Sequence, residues 1–151
     1  MDSSISTTIL FSLAAGFLGT IIMTISQFIE IAITRRASSF TPAIISSRIF
    51  RFDFNKLNQR QKVLLNYITH FGFGTFLGIF FPLFAFLISS KFFLFLGYGL
   101  FIWIQGLVTV STLGGVEPFW RWGRKWIFID AFHHTVLAVF TGFFYFLILQ
   151  I

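Results

Sequence analysis

Asp130, His133 and His134 fall within five positions in FIDAFHHTVL, in a run that is otherwise apolar. On a helix the acid and the two imidazoles lie at i, i+3 and i, i+4, on one face. Such groups can hydrogen-bond one another, relay a proton or ligate a transition metal. More residues of this kind lie deep in other apolar runs: Gln27 and Glu30, His70, and Gln105. A carboxylate in hydrocarbon costs roughly 2.5–3.5 kcal/mol on insertion scales, so these groups need partners.

Depth counting places them together. Glu30 precedes Arg35 by five residues and Asp130 follows Lys125 by five. At a helical rise of about 1.5 Å per residue, each lies about 7 Å inside a basic boundary. His70 is eight residues past Lys62, and His133 and His134 lie at a similar depth. The expectation is one polar layer to which every membrane helix contributes.

Three readings of that layer compete. In the first, Glu30 and Asp130 pair with the histidines and orient the helices. In the second, Glu30, His70, Asp130 and His133 or His134 form a mixed carboxylate–imidazole shell for zinc, iron or manganese, or a metal-free proton relay. In the third, His70 and His134 are axial ligands of a b-type haem, with Gly74 making room for the ring. D-x-x-H-H matches no strong metal fingerprint. The expectation is no cofactor, with a transition metal or haem b as the alternatives.

The elements that position these groups follow from composition. The chain has 151 residues, of which 56% are hydrophobic and 11% charged; phenylalanine occurs 25 times and cysteine never. Mean hydropathy is +0.87. A soluble domain carries about twice that charge. No cysteine means no disulfide, thiolate metal site or c-type haem. The start, MDSSISTT, is acidic and leads into a run too long for a signal h-region, so it reads as a retained anchor.

Four segments have the length of a span: about 5–33, 63–88, 92–113 and 126–149. The fold class expected is an all-α, polytopic bundle of four transmembrane helices in a single domain. Ten of the eleven basic residues lie in the first and third connections; the second has only Lys91 and the N-terminus only Asp2. The positive-inside rule then puts those connections in the cytoplasm and the termini outside. A bacterial inner membrane is expected, with the mitochondrial inner membrane as the alternative. The net charge of +6 thus reflects topology, and no nucleic-acid partner is expected.

Connection one contains TPAIISSRIFRF. Thr41 reads as an N-cap and Pro42 as the first helical residue. Ile44, Ile45, Ile49 and Phe52 share one face against Ser46, Ser47, Arg48 and Arg51, as in an amphipathic interfacial helix. In connection three, Arg121, Trp122, Arg124 and Lys125 suit lipid head groups, and Glu117 is expected to pair with a nearby arginine. Gly74 and Gly78 make a GxxxG pair in a row with Asn66, His70 and Pro82. Gly16, Gly19, Met23, Ser26, Gln27 and Glu30 form a small-and-polar face. Phe80, Phe84, Phe92 and Phe95 are expected to meet lipid.

His70, Gly74 and Gly78 recur as His134, Ala138 and Gly142, and Gly19 and Gln27 as Gly97 and Gln105. That recurrence allows two tandem hairpins about a pseudo-twofold axis. No phosphate loop, nucleophile elbow or HExxH occurs. GFLGTIIMT, then Glu30, HFGFG and D-x-x-H-H together resemble the YagU-like and related families of small bacterial four-span membrane proteins. Ala138 departs from that pattern, where glycine would repeat. The resemblance implies an inner-membrane helical protein and brings no chemistry with it. The expected function is therefore a non-catalytic membrane subunit that packs against lipid, a membrane-protein partner or its own copies. A metal-, proton- or haem-handling protein is the alternative.

Overall fold

The computed structural model describes residues 5–114 and 116–150, and its regular elements are all helical. Asp2, used above in the charge count, lies outside the described residues. The helices are α1 (Ile5–Thr34), α2 (Thr41–Ile49), α3 (Gln59–Gly78), α4 (Phe81–Leu87), α5 (Lys91–Leu113) and α6 (Arg124–Leu149). Four stretches are long and apolar enough to cross a membrane: α1, α3 with α4, α5, and α6. Helices suit such runs because every interior N–H finds a carbonyl within the same segment.

The second span is not continuous. Pro82 has no N–H to offer the carbonyl of Gly78, four residues back, and its ring crowds that carbonyl. α3 ends at Gly78, and Ile79 and Phe80 donate to Phe76 and Leu77 in a tight turn. The Tyr98 hydroxyl on α5 donates to the Leu77 carbonyl at 3.0 Å, beside the break.

The break redirects the aromatic residues. Phe81 is completely buried, with its ring centroid 5.1 Å from Tyr98 and 5.3 Å from Tyr145. Phe80, Phe84 and Phe95 pack against this cluster, contrary to the expectation that they face lipid. For Phe80 and Phe84 the break is the reason, since α4 starts a new register; Phe95 of α5 turns in to meet the Phe81 ring at 6.1 Å. Phe92 does face outward, 70% exposed.

α1 is the central element and packs along both α3 and α6. A side chain on Gly16 would overlap the carbonyls of Gly74 and Thr75 and the Cα of Gly78. One on Gly19 would overlap Thr141 of α6. The GxxxG reading of Gly74 and Gly78 thus holds, with Gly16 as its counterpart. α5 packs on α6 and α4 but meets α3 only sparsely. A strict twofold would pair α3 with α5 as closely as α1 with α6, so the packing departs from the symmetry that the recurrent residues allowed.

α2 corrects the sequence reading of its faces. Its N-cap is Phe40, not Thr41, and Pro42 sits in the first turn. Ala43, Ser46 and Ser47 are buried, whereas Ile49 and Phe50 are exposed. Ser46 shares a 2.7 Å hydrogen bond with Thr69 of α3, and the Ala43 N–H donates to Asn66. A polar neighbour on α3 captures the serine face, which outweighs the amphipathic pattern of the isolated helix.

The same substitution at two glycines tests this packing. Gly16→Leu meets backbone that cannot move aside and should destabilise the fold by at least the roughly 1–3 kcal/mol of ordinary overpacking. Gly72→Leu has nothing within 4 Å to strike and should fold normally. Thermal unfolding and monodispersity in mild detergent report both; equal behaviour would contradict the α1–α3 contact.

Candidate functional site: the polar layer

α1 delivers Glu30 one turn before its end, and the end itself supplies the partner. Arg35 adopts a left-handed backbone, φ 55°, and reverses the chain. Arg36 thereby returns to Glu30, with Nε 2.6 Å from Oε2. Thr34, one turn beyond Glu30, donates to Oε1 at 2.8 Å. Both carboxylate oxygens are thus held, and the acid keeps its charge balanced at the end of the span.

His133 of α6 approaches the same carboxylate. It is 3% exposed, and its Nδ1 is 2.8 Å from the Ser26 hydroxyl. Ser26 gives its one proton to the Met23 carbonyl at 2.7 Å. The serine oxygen must therefore accept from His133 Nδ1–H. Nε2 then points towards Glu30 Oε2 at 3.8 Å, too far for a hydrogen bond, and has no other partner. A proton on Nε2 would face the carboxylate directly, and a neutral imidazole would present it with a lone pair.

The same reasoning fixes His70. Thr24 donates to the Thr20 carbonyl at 2.7 Å, so His70 Nε2–H donates to Thr24 at 3.1 Å. Asp130 accepts from the Trp103 indole N–H at 3.0 Å. His134 Nδ1–H donates to the Asp130 backbone carbonyl at 2.8 Å, with the Asp130 side chain at 3.5 Å. The His134 ring lies on Gly106, where a Cβ would crowd Nε2. Gln105 donates to Thr109 within its own helix, leaving its carbonyl oxygen buried and unpartnered. Gln27 is half-buried on α1.

The expected layer is therefore not one shell. Glu30 and His133 meet, Asp130 and His134 meet, and His70 and Gln105 join neither carboxylate. Among the described residues, no three His, Asp or Glu side chains converge as metal ligands. The mixed shell of Glu30, His70, Asp130 and a histidine is not assembled, because neighbouring hydroxyls, Arg36 and Trp103 claim each group separately. For the haem pair, axial ligation needs an imidazole lone pair from each histidine. His70 Nε2–H donates to Thr24, which leaves Nδ1, and His134 Nδ1–H donates to the Asp130 carbonyl, which leaves Nε2 beside Gly106.

Sequence reasoning missed Arg36 and Trp103 as partners. An αL residue after a helix end was the signal for Arg36, and it is invisible in composition. In connection three, Glu117 makes no ion pair among the described residues; its carbonyl instead accepts from the Trp122 indole at 2.7 Å. Lys125 lies over the Trp126 ring at 5.3 Å, and Arg121 and Arg124 are exposed.

These features define a class: an all-helical chain with four helices apolar enough to cross a membrane and paired polar groups between them. Comparison with protein-family models, with curated proteins and with solved structures finds no match to this chain.

A double-mutant cycle measures the central pair. Glu30→Gln and Arg36→Ala should each lower stability, and the double variant should lose less than their sum, with a coupling of about 0.5–3 kcal/mol. Additive losses in detergent unfolding would mean that the 2.6 Å contact is energetically silent.

Proposed function

We propose that this chain is a small, non-catalytic integral membrane subunit, a four-helix transmembrane bundle whose polar layer fixes helix packing. The observation that carries this is the pairwise bonding of the layer. Glu30 is held by Arg36 and Thr34, His70 by Thr24, and Asp130 by Trp103. The contacts that cross between helices are Thr24–His70, Ser26–His133 and Trp103–Asp130; such contacts contribute about 0.6 kcal/mol each, so they orient helices more than they stabilise them. Outward residues such as Phe28, Phe86 and Phe128 are more than half exposed and suit lipid, a membrane-protein partner or a second copy.

The basic first and third connections face the cytoplasm of a bacterial cell, with the chain ends outside. α2 rests near that surface as an interfacial element, and Arg121, Trp122, Arg124 and Lys125 meet lipid head groups. The helices retain the two-hairpin order, α1 with α3 and α5 with α6. The native chain has no cysteine, so single introduced cysteines report sidedness without background. A cysteine in connection one labelled only from outside the cell would overturn this orientation.

A proton role for Glu30 and His133 is the second reading, favoured by the unpartnered Nε2 that faces the carboxylate. Under the structural reading, alanine at His70 or His134 lowers thermal stability and changes no transport activity. Purified protein carries neither stoichiometric metal nor a Soret band. Proteoliposomes whose proton flux is abolished by His133→Gln, with unfolding unchanged, would replace the first reading by the second.

A further inference from the structure

Two outward grooves run along α3. One, of about 220 Å3, lies under Phe52 and Leu57; the other, of about 390 Å3, lies beside Phe50 and Ser46 of the α2 end. They share Leu65 and Ile68 and so adjoin each other along the helix. Together their lining residues on α3 run from Gln61 to Phe76. At the helical rise this is about 22 Å, more than the roughly 15 Å of one leaflet's hydrocarbon.

Gly72 opens the floor of this groove. Gly16, Gly19, Gly74 and Gly78 all lie against another helix, but a side chain on Gly72 would meet nothing within 4 Å. Its missing side chain serves no helix contact and leaves space in the groove. The only polar lining groups near it, Ser46 and Thr69, are bonded to each other, so the walls are effectively apolar.

Charge marks one end. The stretch from Arg48 to Lys62 carries Arg48, Arg51, Lys56, Arg60 and Lys62 against the single acid Asp53. Asp53 is engaged in capping Asn55 N–H. Arg51 sits between the two lining phenylalanines, and Arg60 precedes the lining Gln61; both are exposed. Arg51 is in the left-handed region, φ 57°, where the chain turns off α2 between the lining Phe50 and Phe52. An apolar slot entered beside clustered arginines has the chemistry of a phospholipid: an acyl chain below, an anionic phosphate above.

We propose that this groove is a binding site for one anionic phospholipid, with an acyl chain along Leu65, Ile68 and Gly72 and the phosphate among Arg48, Arg51 and Arg60. The site rests on the membrane-embedded reading above and is separate from the basic residues of connection three.

The test uses the full chain in nanodiscs of equal phosphatidylglycerol and phosphatidylcholine, released for native mass spectrometry. The wild type should retain one phosphatidylglycerol in preference to phosphatidylcholine, unaffected by millimolar inorganic phosphate. Arg51→Gln and Arg60→Gln should each cut that preference about fivefold. Gly72→Leu, which fills the floor, should reduce retention of both lipids while unfolding as the wild type does. Equal retention of the two lipids by the wild type would overturn the proposal. So would displacement by phosphate alone, or a Gly72→Leu variant that changes oligomeric mass but not lipid retention. A chain that does not enter nanodiscs would instead defeat the membrane reading itself.

Discussion

The close passage of α1 against its neighbours is the contact on which the rest depends. Hydrocarbon gives helices no hydrophobic reason to associate, so contact area and hydrogen bonds must hold them. Gly16 and Gly19 let the α1 backbone touch α3 on one side and α6 on the other. Because α1 is one uninterrupted helix of 30 residues, that contact also determines where Ser26 and Glu30 arrive. They meet His133 only because α6 is already seated on Gly19. A bulkier α1 would separate the helices and leave buried polar groups without partners.

The molecule divides along its length by the way polar groups are satisfied. Near the second connection the interior is aromatic, built around Phe81, Tyr98 and Tyr145, and the Tyr98 hydroxyl bonds the Leu77 carbonyl beside the helix break. Near the first and third connections it is polar, and each ionisable group has a dedicated neighbour. Serine and threonine hydroxyls there bond carbonyls of their own helix and so present only an acceptor to the histidines. This forces the histidine tautomers and keeps the rings from gathering around a common centre.

The comparison of sequence with structure turns on particular residues. The number of helices apolar enough to span, the Gly74–Gly78 contact and the nearness of Glu30 to His133 were legible, because helix rise converts sequence position into level along the helix. The inward turn of Phe80 and Phe84 was not, since it follows from a two-residue break that resets the register after Gly78. The buried face of α2 was not legible either. Periodicity in the isolated segment puts Ser46 and Ser47 on the polar outer face, but Asn66 and Thr69 on a different helix bury that face.

By itself the sequence determined that this chain forms helices able to cross a membrane, and how far along its helix each polar side chain lies. Both are local properties: apolar length and rise per residue. Which polar group meets which was decided only by tertiary structure. Depth places Glu30, His70, Asp130 and His133 in one layer, but azimuth around each helix and the chain reversal at Arg35 assign their partners. Those depend on helix packing at the glycines, and no one-dimensional count contains them.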